Sequence, residues 1–350
     1  MAKFPFLPLS LLVIPYSGMA AISITDNLSI SGFGSTSITQ SDNSVPIFVH
    51  REINDDTCYD CDTTFGLQAD LALSDAFNAS VQVIKRPQDE WSDPELEWAY
   101  LSYEYDSLTF QGGRLRIPLF LVSQYYYVGQ AYPWARPPQS VYDSLLGVTF
   151  YDGLSATWQF ELNDELVMSA SPFYGFGRNN DIKVGARKIT VDADYLAGLS
   201  AELNGFDYRL HFSYLRTEYT MTTDVNPAEE TLNIYTLGAE YLFNNWQFMA
   251  EVHTDNIQSN WYVSAAYTWD KFTPYAVYEE SHQRRKTRGA TLGVRYDVTP
   301  TISLNGEWQG VYMRSADYDQ FDIGQFIAPP KVSGEDKDAN VYTLMLNFIF

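Results

Sequence analysis

The last nine residues, Tyr342-Thr343-Leu344-Met345-Leu346-Asn347-Phe348-Ile349-Phe350, decide the fold class. Side chains alternate between the two faces of a β-strand, so every second residue of this stretch shares one continuous apolar face. The opposite face is partly polar, and the stretch finishes on an aromatic ring. Because an unpaired apolar edge invites aggregation, we expect the strand to pair on both sides. Its apolar face then needs a nonaqueous neighbour, although the last strand of a soluble sandwich has the same alternation.

The composition is aromatic and acidic. Of the 350 residues, 45% are hydrophobic and 16% aromatic, with 26 Tyr, 21 Phe and 8 Trp. A surplus of Tyr suits positions where apolar and wet surfaces meet, and it also fits an aromatic-rich secreted β-protein. The formal net charge of −22 argues against nucleic acid as a partner, because phosphate backbones require basic surfaces.

Residues 1–20 have the pattern of a secretory signal peptide. A short basic start, Met1-Ala2-Lys3, is followed by an apolar run from Phe4 to Tyr16 and then by small residues. We expect cleavage after Ala20, which leaves residues 21–350 as one domain. An exported chain of this composition belongs in the periplasm or in an outer membrane.

The chain has two cysteines, Cys58 and Cys61. In an exported protein a local disulfide is the expected state. Zinc is the alternative, but a structural zinc site takes four ligands and the sequence has no second cysteine pair. We therefore predict a Cys58–Cys61 disulfide and no metal site.

Short turn signals rich in Asn, Asp and Gly alternate with longer polar stretches. Such residues tolerate the left-handed conformations of tight hairpins. The turns are expected at Ser74-Asp75, Asp106-Ser107, Asn163-Asp164, Asn204-Gly205, Asn244-Asn245, Asp270-Lys271 and Thr299-Pro300-Thr301, and the loops at 39–64, 87–95, 116–142, 177–188, 219–230, 255–259, 282–287 and 314–338. We interpret residues 144–162 as one strand. This arrangement predicts about sixteen antiparallel strands with both termini on the short-turn side.

The segments between turns alternate apolar and polar residues. Trp246, Phe248 and Val252, for example, alternate with Gln247 and Glu251. The polar face repeatedly carries charges, and aromatic rings stand at the ends of the apolar face, as in the aromatic girdles around a lipid band. In lipid a sheet must close on itself, since no partner exists for edge hydrogen bonds. We therefore predict an all-β transmembrane antiparallel β-barrel.

The terminal strand and the alternation of short turns with long loops resemble the outer-membrane porins of Gram-negative bacteria. The resemblance implies a barrel of about sixteen strands, a homotrimer, and a third loop folded into the lumen. It also implies that Tyr342, Phe348 and Phe350 form an assembly signal that the barrel-assembly machinery reads. The expected location is the cell outer membrane.

The third loop and the strand before it are the most distinctive internal segment. Unbroken alternation after Phe110 would place Arg114 and Arg116 in lipid, at a cost of about 2–4 kcal/mol each near the midplane. A bulge at Gly112-Gly113 would instead turn both arginines into the lumen and leave Leu115 and Ile117 outward. We predict this bulge.

The loop supplies the candidate constriction. Its aromatic and proline content resembles the inward loop of trimeric porins, but it lacks their acidic motif, since no acid stands between Arg116 and Val141. Each ring has packing against the wall or a neighbouring subunit as an alternative role. The predicted constriction consists of Arg114, Arg116, Tyr125, Tyr126, Tyr127 and Arg136, opposed by the wall acids Asp70 and Glu104.

Strand parity predicts a wall of mixed charge around a water-filled lumen. The inward charges are Asp70, Glu104, Asp192, Asp194, Glu202, Asp207, Glu240, Glu251, Glu307, Arg86, Arg114, Arg116, Arg209 and Arg295. Opposed charges tune channel selectivity. The sign of the selectivity stays open at this point, because much of the net charge lies in loops, where it can instead bind divalent cations that bridge lipopolysaccharide.

These patterns predict passive diffusion of small hydrophilic solutes and ions through the lumen. A channel selective for anions or sugars and a plugged structural or adhesin barrel are the alternatives. The four histidines have no nucleophile motif or metal-ligand spacing beside them, so we expect neither an enzyme nor a cofactor. The other expected partners are outer-membrane lipids and lipopolysaccharide.

Overall fold

The computed structural model describes residues 21–87, 93–144, 149–184, 187–222 and 228–350. The predicted signal peptide, residues 1–20, lies outside the described residues. In the described ranges no helix is long and apolar enough to cross a membrane.

Sixteen antiparallel strands close into a barrel, which confirms the predicted fold class. Each strand pairs with its neighbours in sequence, and the last pairs with the first. The strands are β2 Leu28–Ser41, β3 Thr64–Ala72, β4 Phe77–Lys85, β5 Glu95–Tyr105, β6 Leu108–Arg116, β7 Phe150–Asn163, β8 Leu166–Val184, β9 Arg187–Asn204, β10 Tyr208–Thr222, β11 Ala228–Phe243, β12 Trp246–Thr254, β13 Ser259–Tyr267, β14 Phe272–His282, β15 Thr287–Thr299, β16 Ile302–Tyr312 and β17 Ala339–Ile349.

The apolar strand that ends the sequence is the closing strand of the barrel. Strand β17 pairs on one side with β16 and on the other with residues 33–41 of β2. A short N-terminal strand, β1 (Ile22–Thr25), pairs with the start of β2. Phe350 and Gly32 exchange two backbone hydrogen bonds, of 2.9 and 2.8 Å, so the seam is hydrogen-bonded to the last residue. No strand edge is left for aggregation there.

The seven short turns lie where the sequence predicts them. Asp106, Asn244 and Asp270 adopt φ values of 54–55°, the left-handed region that short polar side chains tolerate. Each of these turns reverses the chain direction with few residues outside the barrel wall. The start of β2 and Phe350 are both on this side of the barrel.

The long loops agree with the prediction except in two hairpins. The stretch 219–230 was expected to be a loop, but β10 continues to Thr222 and β11 starts at Ala228. The stretch 177–188 was expected to be a loop, but β8 continues to Val184 and β9 starts at Arg187. The hairpin extends past the apolar band, where no lipid imposes an apolar alternation on the sequence. The third loop, residues 117–149, is longer than predicted because β7 begins at Phe150. Among the described residues, the loops contain three short α-helices and two 3-10 helices. The α-helices are α1 Gln139–Tyr142, α2 Ser315–Asp319 and α3 Pro330–Ser333, and the 3-10 helices are Ser123–Tyr125 and Gly129–Ala131 of the third loop.

The outward face of the barrel is apolar and exposed. Leu101, Leu237 and Leu292 are each at least 55% exposed, whereas polar residues of opposite parity, such as Ser213 and Asn305, are buried. This is the reverse of a soluble barrel and matches a wall that faces lipid. The buried core has two parts, one between the third loop and the inner wall and one between the first and last long loops.

Candidate pore constriction

The third loop folds into the barrel, as predicted, and lies along the inner wall. Three wall carboxylates accept hydrogen bonds from its backbone. Glu251 accepts from the N–H of Leu121 at 2.8 Å, Glu307 from that of Ala135 at 3.0 Å, and Glu279 from that of Ser140 at 2.9 Å. Strands β12, β14 and β16 thus hold the loop at three points.

The apolar and aromatic residues of the loop explain why it stays inside rather than extending into solvent. Trp134 is fully buried, and its Nε1 donates to Ser264 Oγ at 2.9 Å. Leu119, Leu121 and Val141 belong to the same buried cluster as wall residues. An indole that is both packed and hydrogen-bonded stabilises one position of the loop.

Arg136 and Asp62 form the strongest tie between the third loop and the rest of the extracellular half. Arg136 donates from two nitrogens to the two oxygens of Asp62, both at 2.7 Å, and also approaches Glu307 at 3.6 Å. Burial raises the pKa of Asp62, but the charge and hydrogen bonds of Arg136, with help from Arg51, hold it well below its usual range. Arg136 therefore anchors the loop, and it does not line the open part of the lumen.

The first loop, residues 42–63, supplies the other half of this tie. Arg51 donates from Nε to Asp62 at 2.8 Å and from Nη1 to Gln139 of the third loop at 3.0 Å. Cys58 and Cys61 form a disulfide directly before Asp62. Two loops distant in sequence thus share one buried carboxylate.

The predicted bulge at Gly112-Gly113 is wrong. Strand β6 keeps an unbroken register with β5 and β7 through both glycines. Gly113 has a φ of 134°, and a Cβ there would lie 2.3 Å from the carbonyl oxygen of Ala99. Glycine is therefore required by close backbone approach and by its left-handed φ, and no residue is inserted.

Because the alternation continues, Arg114 lies on the outward face and Leu115 faces inward. Arg114 pairs in register with Ala99, which has the parity of exposed Leu101, and Leu115 is 5% exposed beneath the third loop. Arg114 Nε donates to Asp152 at 2.8 Å. The prediction that Arg114 contributes to the constriction is therefore wrong.

Arg116, the last residue of β6, has the parity of Arg114, but its side chain is buried against Glu97 and lines the pockets inside the barrel. Both Arg116 and Arg86 form salt bridges with this carboxylate, the second at 2.7 Å. The strand pairing shifts at this place, with Gln82 opposite Trp98 and Val83 opposite Leu96, so Glu97 is an extra residue. The bulge at this level of the barrel is therefore in β5, at Glu97, and not in β6 at Gly112-Gly113.

The three consecutive tyrosines point in different directions. Tyr125 lines the lumen and its hydroxyl accepts from Arg209 at 2.8 Å, whereas Tyr126 and Tyr127 point to the other side of the loop. Tyr127 lies against the guanidinium of Arg116, 4.9 Å from its Cζ to the ring centre. Burial raises the pKa of Tyr125 to about 12, so its hydroxyl stays protonated.

A large polar chamber occupies the lumen on the short-turn side of the loop. Its volume is about 2580 Å³. Ten carboxylates and four permanently basic side chains line it: Asp26, Asp70, Asp75, Glu104, Asp106, Glu161, Glu202, Glu240, Asp270 and Asp297, with Arg116, Arg209, Lys271 and Arg295. In the described part of the chain only Glu202, Glu240 and Asp297 of these acids pair with a basic group. The chamber is therefore strongly acidic.

A much smaller pocket lies on the extracellular side of the loop. It measures about 50 Å³ and is lined by groups such as His50, Arg51, Tyr126 and Asp143. Arg116 and Phe120 line both this upper pocket and the chamber, so the two spaces meet at that level.

The comparisons with known proteins agree with this geometry. The family model of Gram-negative porins matches residues 9–345. The chain belongs to the Gram-negative porin family. It is an outer-membrane porin, and the chamber below its inward loop is part of a channel for passive diffusion.

Solved porin structures share its fold. The chain is similar to OmpF of Salmonella typhi in complex with daunomycin, with a TM-score of 0.64, 11% identity, and 94% of this chain and 100% of that chain covered. It is also similar to the anion-selective porin of Comamonas acidovorans, with a TM-score of 0.60 and 13% identity over 92% of this chain and 99% of that chain. A third similar structure is outer-membrane expressed OmpT of Vibrio cholerae, with a TM-score of 0.57 and 15% identity over 94% of this chain and 100% of that chain. No curated protein sequence matches the chain significantly.

In the porin's structure the residues of the predicted constriction lie at different levels of the barrel. Asp70 and Glu104 line the chamber, but each lies within two residues of the short-turn end of its strand. They face the periplasmic mouth and stand away from the loop. Arg116, Tyr126 and Tyr127 lie at the upper pocket, and Tyr125 faces the chamber.

Several residues of the porin's constriction were missed by the sequence reasoning. His50, Arg51 and Asp62 belong to the first loop, which carried no inward signal. Asp143 also lines the upper pocket, and it lies two residues after Val141, where the stretch without acidic residues ends. Glu251 and Glu307 were correctly expected to face inward, but parity alone does not show that the loop covers them.

Proposed function

We propose that this porin passes small hydrophilic solutes by passive diffusion and that it prefers cations to anions. The observation that carries the proposal is the charge of the chamber, where ten carboxylates face four basic side chains. A cleft lined by one sign of charge focuses the field and raises the local concentration of the opposite ion. Every ion that crosses the barrel passes through this volume.

The arrangement of partners strengthens the cation preference. Among the described residues, the hydrogen-bond donors to Asp70 are neutral, Ser80 at 2.6 Å and Gln68 at 2.7 Å, so its charge is available to ions. The basic side chains of the chamber are less available, since Arg209 is paired with Glu240 at 2.9 Å and Arg295 with Asp297 at 2.8 Å. The excess of negative charge is therefore carried by groups in contact with the open lumen.

The third loop sets the size limit. It folds into the barrel and is held to the inner wall by Glu251, Glu279 and Glu307, so it takes up part of the lumen and small solutes pass more readily than large ones. The arginines near it are balanced by carboxylates. Arg116 and Arg86 share Glu97, with Glu95 also near Arg86. Arg51 and Arg136 share Asp62, with Asp143 near Arg51 and Glu307 near Arg136. A channel with an arginine ladder for anions is accordingly the less favoured function.

The remaining features of the proposal follow from family membership and surface chemistry. We assign no catalytic activity, since the histidines have no nucleophile motif beside them and His211 and His253 lie 3.3 and 3.2 Å from the carboxylates of Glu202 and Asp255. We also propose export by the signal peptide, assembly by the barrel-assembly machinery and a homotrimer. The acidic external loops are suited to divalent cations that bridge lipopolysaccharide.

Planar-bilayer conductance and liposome swelling test the channel itself. We expect stepwise conductance that grows linearly with salt, and swelling rates in neutral sugars that fall steadily with sugar size. Complete absence of conductance would favour a plugged barrel. Saturable block by one sugar or one anion would favour a solute-selective channel instead.

A further inference from the structure

The outward face of the barrel has a charged group that the channel function does not use. It consists of Arg114 on β6, Phe150 and Asp152 on β7, and Arg178 on β8, and we call it the outer arginine site. Arg114 donates from Nε and Nη2 to the two oxygens of Asp152 at 2.8 and 3.1 Å. Arg178 reaches the same carboxylate at 3.3 Å.

One carboxylate thus serves two guanidinium groups, which leaves the site with one excess positive charge. Both guanidiniums lie against the ring of Phe150, with Cζ 4.2 Å from its centre for Arg114 and 4.1 Å for Arg178. An aromatic face attracts a cation at this distance, and the attraction is larger when the cation is partly desolvated. Their side chains keep 22% and 28% of their surface exposed, so a ligand on the outside can reach them.

The height of the site identifies what it meets. Directly towards the short-turn side of the same strands stand exposed apolar residues, with Leu154 at 56%, Phe176 at 57% and Phe110 at 44%. The site therefore lies immediately above the lipid-facing band, at the extracellular end. Outward arginines are costly at the membrane midplane, and the cost falls to about 0–1 kcal/mol near the interface, where head groups replace acyl chains.

We infer that the outer arginine site binds a phosphate group of an outer-leaflet lipid. Phosphate offers several oxygens to a planar guanidinium, which recognises them by two parallel hydrogen bonds. Arg114 also donates from Nη1 to the carbonyl oxygen of Leu96 at 3.1 Å. The exposed edges of both guanidiniums hold further N–H groups for such bonds, and the excess positive charge supplies the attraction. The inference rests on the proposed function in one respect: it takes the long loops to be on the outer side of the outer membrane.

Native mass spectrometry of the detergent-solubilised full barrel tests the inference with bis-phosphorylated lipid A and its dephosphorylated form. We expect retention of the phosphorylated form only. The double variant Arg114→Gln plus Arg178→Gln should weaken it about tenfold, the effect of losing one charge-assisted hydrogen bond. Asp152→Asn should strengthen it, because it removes the competing carboxylate and adds no bulk.

Arg216→Gln is the matched control, since Arg216 is also exposed near the extracellular end but has Glu218 to itself at 2.8 Å. Its retention of lipid A should equal that of the wild type. Equal retention of the two lipid forms, or unchanged retention in the double variant, would overturn the inference. So would binding of inorganic phosphate as tight as that of lipid A, or a change of oligomeric state in place of lipid loss.

Conductance separates this result from the channel proposal. All of these variants change groups outside the lumen, so their single-channel conductance should equal that of the wild type. A wild-type barrel that retains lipid A but does not conduct would contradict the proposed channel and leave the lipid site intact.

Discussion

At the residue scale, Asp70 and Arg114 separate lumen chemistry from surface chemistry. Asp70 faces the chamber with no basic partner among the described residues, whereas Arg114 faces outward. We expect Asp70→Asn to lower the ratio of K⁺ to Cl⁻ permeability roughly twofold at low salt, since a unit charge about 10 Å from an ion in water contributes about 0.4 kcal/mol. Reversal potentials measure this ratio.

Arg114→Ala is the comparison for that variant. It removes one charge, as Asp70→Asn does, but from the outside of the wall. Its reversal potential should equal that of the wild type. A larger shift for Arg114→Ala than for Asp70→Asn would mean that the faces are assigned the wrong way round.

Asp62 is the residue on which the loop arrangement depends most. It accepts hydrogen bonds from Arg51, Arg136 and Ser37, and it is almost fully buried. Breaking a buried pair leaves uncompensated charge, at a cost of about 3–5 kcal/mol. Asp62→Asn should therefore lower the thermal stability of the extracellular half and increase current noise in single-channel records, while Asp56→Asn, an exposed change in the same loop, should do neither.

The same carboxyl predicts how the porin responds to acid. The pKa of Asp62 is held below its usual range, so its contribution to stability is complete above the ordinary unfolded value near 4 and is lost only as the pH falls through the lower folded value. Current noise should stay constant from pH 7 to about 4 and rise only below that. A rise between pH 7 and 5 would show that another group controls the loop.

At the element scale, the seam between β17 and β2 tests the role of the final residue. Phe350 exchanges two backbone hydrogen bonds with Gly32, and its ring lies near Phe65 and Phe348, at centroid distances of 6.5 and 6.4 Å. Deleting Phe350 removes both bonds, each contributing about 0.5–1.5 kcal/mol, and also the proposed assembly signal. We expect a large loss of folded, heat-modifiable barrel in the outer membrane.

Phe350→Leu keeps the two backbone bonds and an apolar side chain. It should assemble better than the deletion, and the conductance of whatever barrel forms should be unchanged in both. If the deletion assembled as well as the wild type, the terminal residue would have no part in closing the barrel.

The elements show which parts of the fold were accessible from sequence. Turns such as Asp106-Ser107 were predictable, because few residue types tolerate their backbone. The extent of β8 and β9 was not, because beyond the membrane no lipid imposes an apolar alternation. Gly112-Gly113 was misread, since a glycine pair signals close backbone approach as readily as a bulge, and the bulge at Glu97 had no glycine to mark it.

The candidate site was less predictable than the fold, because its contacts are long-range. Strand parity gives the inward direction of Glu251 but does not show that Leu121, 130 positions away, donates to it. The partnership of Arg136 with Asp62 joins two loops whose approach depends on the closed barrel. Side-chain direction is thus set locally, whereas the identity of a partner is set by the whole fold.

At the scale of the whole molecule, the barrel combines a wide acidic chamber with a narrow, nearly neutral constriction. The chamber attracts cations before they reach the loop, so selectivity arises from the field of the lumen and not from one binding site. Such a field is screened over about 10 Å at 0.1 M salt and about 3 Å at 1 M. The cation preference should therefore weaken as the salt concentration rises.

The most direct test is the reversal potential of the wild-type porin in a planar bilayer across a tenfold KCl gradient, measured at low and at high mean salt. The chamber predicts a K⁺ to Cl⁻ permeability ratio above one that falls towards one at high salt. A ratio at or below one at low salt would contradict the account.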